Sequence, residues 1–458
     1  MRGQRENLMS NFMLDMTKGK EISHLVKFSI PMLIGNVFQQ LYSIVNSIVV
    51  GKHIGDTALA AVGIVGTLTS LFFSICMGLA IGIGVVVSHY FGANRKEEVQ
   101  RTIGNSVYLL GLAGVLMGVL GIFCAEPILM FVKTPEEVMP YALPYMRALS
   151  GGAIFVAGYN GIAAILRALG DAKTPLMFLV ISNIMNVILD VILVTHLDMG
   201  VVGAAWATVF AQGFAMVGSI LFATRVNPYL RLRREQFLLQ KNIFMQSAKI
   251  GVPVGLQSAL IACSMLVLQS VVNGFGTEVM VAFTATSRVE QVISQPYNSI
   301  GAAVATFTGQ NLGSGNIKRI RSGYMKSVWM VTVYSLFVMA VVFAASEWIM
   351  GCFISNQDTI ALAAKGLRIT TFFYVPLSYI YVVRGVLNGV GDGAFAMVHG
   401  LFEIVGRIGF SLLFIGIIGV GVWGVWYTTG LTWVATAVLG LVRYKQGKWK
   451  KSLMFATK

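Results

Sequence analysis

Long apolar runs separated by short polar segments dominate this chain of 458 residues. A helix of roughly 20 apolar residues crosses a hydrocarbon core about 30 Å thick, and each run is at least that long. We therefore predict an all-α, polytopic membrane protein with twelve transmembrane helices. Six lie in each half, at roughly 25–51, 57–88, 98–124, 137–167, 173–196, 200–225, 243–273, 278–309, 319–346, 358–388, 394–419 and 421–443.

The residues that interrupt these runs recur at a fixed distance. The sequence LRALGD at 166–171 is followed by LNGVGD at 387–392, and 387 − 166 = 221. A register kept over most of a chain indicates two copies of one unit, which is common in membrane transporters. Six spans in each copy leave both starting on the same side, so the repeats are predicted to be parallel. The same offset joins Gly92 with Gly313, Arg147 with Arg368, Gly200 with Gly421 and Thr208 with Thr429, while Lys27-x-x-x-Pro31 recurs one residue out of step as Lys249-x-x-x-Pro253.

The repeat predicts two six-helix lobes around a central cavity. We place the N-lobe at 25–225 and the C-lobe at 243–443, with the substrate path between them near the pseudo-twofold axis. The basic linker 226–242 is expected to be either a cytoplasmic helix on the membrane surface or a plain solvated linker. Residues 1–24 are predicted to be a cytoplasmic segment without a cleavable signal peptide, and 444–458 a basic cytoplasmic tail.

Charge distribution indicates how the chain lies in the membrane. Only 12% of the residues are charged and 56% are hydrophobic, whereas soluble domains carry roughly 25% charged residues. The net charge of +15 comes from basic residues in alternate loops, and the other loops hold little beyond Lys52 and Lys133. This positive-inside pattern predicts a multi-pass protein of the cell (plasma) membrane with both termini in the cytoplasm. We therefore expect membrane lipids, and no nucleic acid, as partners.

The sequence lacks the motifs of several kinds of chemistry. There is no phosphate-binding glycine loop, no histidine at metal-ligand spacing, and no nucleophile paired with a base inside a predicted span. The cysteines Cys76, Cys124, Cys263 and Cys352 are interpreted as small packing residues. We predict that the protein is not an enzyme, has no cofactor, and draws on a gradient of H⁺ or Na⁺ for any active transport.

One carboxylate lies well inside a predicted span of the first half. This residue, Asp190, follows Asn186 by one helical turn, so both side chains share a helix face. The directions of the predicted helices bring Asn46 and Thr208 to similar depth in the outer half of the N-lobe. Burial disfavours the charged form of a lone carboxylate, which suits a proton carrier, and the neighbouring amide and hydroxyl oxygens also suit Na⁺. The alternative is a structural carboxylate held by hydrogen bonds. The predicted ion-coupling site comprises Asp190, Asn186, Asn46, Thr208 and Gln39.

The repeat does not duplicate this cluster. At the 221-residue offset, Asn186 and Asp190 correspond to Arg407 and Ser411, and Asn46, in the first helix, which is one residue out of step, corresponds to Leu268. A polar set present in only one copy of a duplicated frame indicates a specialised site in the N-lobe.

The second half contains its own charged residues. Glu403 and Arg407 are spaced as an i,i+4 pair, which favours a structural ion pair. Arg288 and Glu290 lie close together on one predicted helix, and Glu290 is a candidate to meet a cationic ligand. For any single aromatic, core packing or lipid contact remains the alternative to lining the cavity. The predicted substrate cavity comprises Tyr42, Tyr159, Phe283, Glu290 and Tyr297.

Several motifs together resemble the multidrug and toxic compound extrusion (MATE) family. They are FQQLY at 38–42 followed by Asn46 and Gly51, LRALGD at 166–171 followed by Thr174-Pro175, Asn186-x-x-x-Asp190, GVVGAAWAT at 200–208 and TGQNLG at 308–313. The resemblance implies twelve helices in two six-helix lobes around a V-shaped cavity. It also implies export of mostly cationic, amphipathic organic compounds by a monomer in exchange for H⁺ or Na⁺.

The resemblance places the cation site on position 46, Asn186, Asp190 and Thr208, with Gln39 nearby. The family usually has an aspartate where this chain has Asn46, so one N-lobe carboxylate remains, and our hypothesis is that Asp190 alone carries the proton. The alternatives are an uncoupled, channel-like protein or a flippase for a lipid or lipid-linked oligosaccharide. A flippase cavity should be cationic, whereas Arg288 and Arg407 both have carboxylates close by in sequence.

Overall fold

The computed structural model describes residues 13–447 and Trp449, so parts of the predicted cytoplasmic ends (1–12, 448 and 450–458) lie outside the described residues. The described chain is helical, without a strand, as predicted. Its α-helices are α1 (Glu21–His53), α2 (Asp56–Gly92), α3 (Lys96–Phe123), α4 (Ala125–Phe131), α5 (Met139–Gly151), α6 (Ala153–Ala168), α7 (Lys173–Asp190), α8 (Gly200–Val226), α9 (Lys241–Asn273), α10 (Thr277–Gly313), α11 (Ile317–Gly351), α12 (Gln357–Thr371), α13 (Tyr374–Gly389), α14 (Gly393–Ser411) and α15 (Gly424–Gln446).

Nine helical segments in the described chain are long and apolar enough to cross a membrane, and eleven if two bent pairs each count as one span. The remaining predicted span, 278–309, coincides with α10. This helix has 37 residues and is long enough to cross, but Arg288 and Glu290 lie in its middle and make it less apolar. All twelve predicted segments are therefore helical, and α10 is the one whose composition does not mark it as a span.

Two predicted spans are broken rather than continuous. The helices α5 and α6 meet at an angle of 49°, and α12 and α13 meet at 52°. The first break follows two adjacent glycines, Gly151 and Gly152, which weaken a helix interior. The second precedes Pro376, which has no N–H to donate to the carbonyl of Phe372 four residues earlier. The predicted spans 137–167 and 358–388 are therefore each built from two helices joined at a bend.

A second departure from regular α-helix, a π-helical segment, occurs once in each half of the described chain. The helix α7 continues as a π-helix over Val191–His196, and α14 continues as a π-helix over Leu412–Ile417. The two segments obey the repeat, since 412 − 191 = 221. Duplication is thus visible in the backbone, and π-turns frequently accompany functional sites.

The chain divides into two compact units. Among the described residues, unit 1 contains the chain up to Met16 and Ile30–Gly255, and unit 2 contains Thr17–Ser29 and the chain from Leu256 onward. The boundaries fall inside α1 and α9, within two residues of Pro31 and Pro253. The repeated Lys-x-x-x-Pro motif therefore marks where the first helix of each copy passes from one unit to the other.

Each unit packs its helices in the same pattern. In unit 1, α2 contacts α3, α5 and α6, while α8 contacts α6 and α7. In unit 2, α10 contacts α11, α12 and α13, while α15 contacts α13 and α14. The duplicated sequence thus specifies a duplicated helix arrangement, with an apolar core inside each copy.

The linker 226–242 does not form the surface helix that we considered. It contains two short 3₁₀ turns, Pro228–Leu230 and Arg234–Phe237, and is bound to the start of α3. Gln236 Nε2 donates to Gln100 Oε1 at 2.7 Å, and Asn105 Oδ1 accepts from the backbone N–H of Gln240 at 2.7 Å. Our expectation of a surface helix was therefore wrong, because the linker is held as two short turns by amide side chains of α3, which satisfy part of its backbone.

This docking predicts a stability effect at Gly104 of α3. A Cβ atom there would lie 2.0 Å from the carbonyl oxygen of Gln236. We expect Gly104→Ala to lower the free energy of unfolding by about 1 kcal/mol, because the linker turn shifts to relieve the overlap. The control is Gly111→Ala on the same helix, where a Cβ meets nothing within 4 Å and alanine favours the helix. Thermal unfolding in detergent compares the two; equal melting temperatures contradict the proposed contact.

Candidate ion-coupling site

Three helices of unit 1 bring polar side chains to one hydroxyl, that of Tyr42 on α1. Asn46 Nδ2 and Asn186 Nδ2 each donate to Tyr42 Oη at 2.9 Å, from α1 and α7 respectively. Thr208 Oγ1 of α8 lies 3.2 Å from the same oxygen. The structure therefore brings together three of the five predicted coupling residues around a tyrosine that we had assigned to the substrate cavity.

The direction of these hydrogen bonds follows from the helix geometry. Thr208 Oγ1 donates to the carbonyl oxygen of Ala204, one turn earlier, at 3.1 Å. Its single proton is thus used, and the Tyr42 hydroxyl must donate to Thr208. Asn186 Nδ2 also reaches Thr208 Oγ1 at 3.4 Å. Every donor of the cluster is engaged within it or with its own helix.

Four acceptor oxygens of the site have no hydrogen-bond donor. Asn46 Oδ1, Asn186 Oδ1 and both carboxylate oxygens of Asp190 are buried and have no hydrogen-bond partner. Asp190 is 0% exposed and takes part in none of the ion pairs among the described residues. This geometry does not fit the alternative that Asp190 is a structural carboxylate held by hydrogen bonds. Unpartnered buried oxygens are suited to accept a proton or to bind a small cation.

Asp190 is the last residue of α7 before the π-helix begins. Tyr145 of α5 is buried close to Tyr42 and Asp190. Our sequence reasoning missed Tyr145, because a single aromatic on an apolar helix gives no signal of its neighbours. Gln39 is exposed on α1 and makes no hydrogen bond with the cluster, so the structure does not join it to the other predicted residues.

Three predicted cavity residues are core residues of their own units. Tyr159 is buried and its hydroxyl donates to the carbonyl oxygen of Pro175 at 3.1 Å. Phe283 is buried with its ring edge-to-face against another ring, and the buried Tyr297 hydroxyl lies 2.8 Å from Ser335 Oγ. The structure therefore places Tyr159, Phe283 and Tyr297 inside the packed core and does not bring them together at an open cavity.

The corresponding region of unit 2 has a different polar set. Arg407 replaces Asn186, Ser411 replaces Asp190 and Thr429 replaces Thr208 at the 221-residue offset. The predicted ion pair between Glu403 and Arg407 is confirmed, although it is long, with 4.0 Å between Arg407 Nη2 and Glu403 Oε2. Arg288, which lies close to Glu290 in sequence, is exposed.

A family model named MatE matches the chain twice, over residues 31–192 and 253–413. The matches begin at Pro31 and Pro253, and their ends differ by 413 − 192 = 221 residues, so each copy of the repeat is one family unit. This chain belongs to the MATE family. It is accordingly a membrane transport protein and not an enzyme, as we predicted.

Relatives of this MATE protein match over nearly their whole length. The probable multidrug resistance protein YpnP of Bacillus subtilis is 29% identical over 97% of this chain and 99% of its own length. The probable multidrug resistance protein NorM of Thermotoga maritima is 22% identical, with 98% and 97% covered. The multidrug export protein MepA of Staphylococcus aureus strain NCTC 8325 is 23% identical, with 85% and 86% covered.

Solved structures share the fold. An outward-facing multidrug resistance MATE transporter of the MOP superfamily has a TM-score of 0.88 at 24% identity, with 97% of this chain and 98% of that chain covered. A MATE protein in its straight conformation has a TM-score of 0.88 at 25% identity, with 95% and 98% covered. The predicted two-lobed, MATE-like helical fold is thus confirmed.

Proposed function

We propose that this MATE protein is a secondary antiporter that exports amphipathic, mostly cationic organic compounds in exchange for H⁺ or Na⁺. The observation that carries the proposal is the buried Asp190, whose two oxygens have no partner in a cluster where every donor is engaged. Such a site is incomplete without a positively charged species. Binding and release of that species is the event that an antiporter links to its alternating access.

A proton and a sodium ion complete the site in different ways. A proton on Asp190 neutralises the carboxylate and turns it into a donor, which removes the cost of a bare buried charge. A sodium ion is suited to the same residues, because carboxylate, amide and hydroxyl oxygens are hard ligands. Asp190, Asn186, Asn46 and Thr208 would hold it. Transport measured under separate pH and Na⁺ gradients distinguishes the proton from the sodium ion.

The cargo is inferred from the relatives and from charge. YpnP and NorM are named multidrug resistance proteins, and MepA is named a multidrug export protein. Within unit 2, Arg407 has carboxylates close to it, so its positive charge is offset. We propose organic cations as cargo on these grounds. The distribution of basic residues supports a plasma-membrane protein with cytoplasmic termini, and we further propose that it acts as a monomer.

The deciding experiment uses purified protein in liposomes and a fluorescent organic cation. A pH gradient and a Na⁺ gradient are imposed separately, and dye movement is followed against empty liposomes. Movement under one gradient supports antiport and identifies the coupling ion. Absence of movement under both contradicts the proposal and turns attention to the flippase alternative, which a labelled-lipid scrambling assay then tests.

A further prediction concerns Tyr42, which holds the cluster together. We expect Tyr42→Phe to weaken the apparent affinity for the coupling ion by roughly tenfold or more, since two amide donors lose their acceptor at about 1 kcal/mol each. The transport rate is measured as a function of the concentration of the coupling ion. Tyr108→Phe, at an exposed position of α3, is the control and should leave the affinity unchanged. An unchanged affinity in Tyr42→Phe contradicts a role for the hydroxyl.

A further inference from the structure

The ammonium group of Lys365, an exposed residue of α12, lies over an aromatic ring. Its Nζ atom is 4.2 Å from the centre of the ring of Trp423, the residue directly before α15. A cation at this distance is attracted by the negative face of the ring. Among the described residues Lys365 takes part in no ion pair, so no carboxylate offsets its charge at close range.

Two further rings stand behind Trp423. The ring centre of Trp426 is 5.7 Å from that of Trp423, and the ring centre of Phe283 on α10 is 6.4 Å from that of Trp426. Trp426 is 0% exposed, and its indole N–H donates to Thr286 Oγ1 at 3.2 Å. The three rings form an aromatic row whose inner members are fixed in the core, while Trp423 at its outer end is half-buried.

The packing of α12 against this row determines where Lys365 lies. Gly366 is buried against Trp426, and a Cβ atom on it would lie 2.3 Å from Cε2 of the indole. Because no side chain separates α12 from Trp426 at this point, the neighbouring Lys365 is brought to Trp423. The contact between the ammonium group and the ring therefore rests on buried packing, although Lys365 itself is exposed.

Lys365 lies inside a predicted membrane span. It is about two turns from the start of α12, within the span 358–388. A charged side chain inside a span is costly unless it reaches water, and such residues mark aqueous paths. We therefore expect the exposed surface around Lys365 and Trp423 to be hydrated rather than covered by lipid.

The repeat shows that this arrangement is specific to unit 2. At the 221-residue offset, Lys365 corresponds to Pro144 and Trp423 to Val202 (365 − 221 = 144; 423 − 221 = 202). The first copy therefore has neither the charge nor the ring at these positions, and the fold does not require them.

We propose that the exposed face of Trp423 is a binding site for quaternary and other organic ammonium ions, and that the ammonium group of Lys365 occupies it in their absence. The ring attracts a ligand cation by the same interaction that holds the lysine. A quaternary ammonium ion donates no hydrogen bond to water, whereas the lysine ammonium is strongly hydrated, so the ligand gives up less on leaving water. The inference rests on the proposed cargo class and adds a residue of unit 2 that contacts it.

Lys365 is then an internal competitor at this site. Its charge both fills the ring face and repels an incoming cation. The nearby Arg368 does not add to this repulsion, because it pairs with Glu347 at 3.2 Å. Neutralising Lys365 should therefore strengthen the binding of organic cations at Trp423, while the remainder of the protein is unchanged.

The test measures binding at Trp423 and needs neither transport nor a gradient. Purified full-length protein is labelled with fluorotryptophan at its seven tryptophans, and the fluorine NMR signal of Trp423 is assigned by its loss in Trp423→Phe. Choline is the probe, and its neutral isostere, in which carbon replaces the quaternary nitrogen, is the control ligand. We expect choline to shift the Trp423 signal, and Lys365→Gln to lower the half-saturating concentration roughly fivefold.

Two variants should keep the half-saturating concentration of the unmodified protein. Lys365→Arg retains a cation that stacks on the ring. Lys52→Gln removes an exposed lysine from unit 1, where no such row is present, and controls for the change in net charge.

A Trp423 signal that choline does not shift in Lys365→Gln overturns the proposal. So does an equal shift by the neutral isostere, which indicates apolar contact alone, or a half-saturating concentration that Lys365→Gln leaves unchanged. Where Trp423→Phe does not stay monodisperse, the signal is identified by the shift that Lys365→Gln causes without ligand, and absence of that shift contradicts the contact. Binding at Trp423 stands even where no gradient drives export, so failure of the proposed antiport is recognised separately.

Discussion

Export driven by an ion gradient should fall to the level of empty liposomes when Asp190 is replaced by asparagine. Asparagine keeps the size of the side chain but cannot take up or release a proton, and it provides no negative charge for Na⁺. Asp190 is wholly buried and both of its oxygens are without partners, so they are free to bind the coupling ion. The other members of the cluster are amides and hydroxyls, which cannot replace its charge. The measurement is dye movement in liposomes under the gradient that drives the unmodified protein.

The matched control is Asp198→Asn. Asp198 is exposed and has a φ of 50°, a left-handed conformation that asparagine tolerates well. This control should transport normally and rules out a general effect of removing an acid near the end of α7. Dye counterflow without an ion gradient separates loss of coupling from loss of substrate binding. Gradient-driven export that persists in Asp190→Asn contradicts the assignment of the site.

The largest effect on stability is expected at Gly78 of α2. In unit 1, Gly78 and Gly82 pack directly against Gly251 and Gly255 of α9. A Cβ atom on Gly78 would lie 2.2 Å from the backbone nitrogen of Gly255. Both colliding groups are backbone atoms of helices, so neither can turn aside, and small residues are what allow such close approach. We expect Gly78→Ala to reduce the free energy of unfolding by about 3 kcal/mol.

The control for this variant is Gly63→Ala, on the same helix at a site where a Cβ meets nothing within 4 Å. It should be neutral or slightly stabilising, because alanine favours a helix over glycine. Denaturant unfolding in detergent and the yield of monodisperse protein measure both variants. If Gly78→Ala is as stable as Gly63→Ala, the two helices are not in contact as the structure shows.

The candidate site was partly predictable because helix direction and depth can be read from the sequence. Asn46, Asn186 and Thr208 were expected at one depth on three helices, and their side chains meet at Tyr42. The role of Tyr42 as the shared hydrogen-bond partner was not predicted, since depth does not determine which way a side chain points. The same limit explains Tyr159 and Tyr297, which we placed in a cavity and which are enclosed in the core.

Glu403 and Glu290 of unit 2 show a different limit of prediction from sequence. The i,i+4 spacing of Glu403 and Arg407 was sufficient to predict their proximity, because a helix fixes it locally. The approach of Glu290 to Arg407 depends on how α10 packs against its neighbours, which no local spacing reports. Arg288, although close to Glu290 in sequence, is exposed.

By itself, the sequence determined the membrane setting, the helical segments, their duplication and the family. These properties follow from hydrophobic run length and from a register that survives along the chain, and neither requires knowledge of contacts. Only the tertiary structure decided where spans break, which atoms lack partners, and that α1 and α9 change units beside Pro31 and Pro253. Such features arise from contacts between helices far apart in sequence, where the packing of one side chain depends on all of its neighbours.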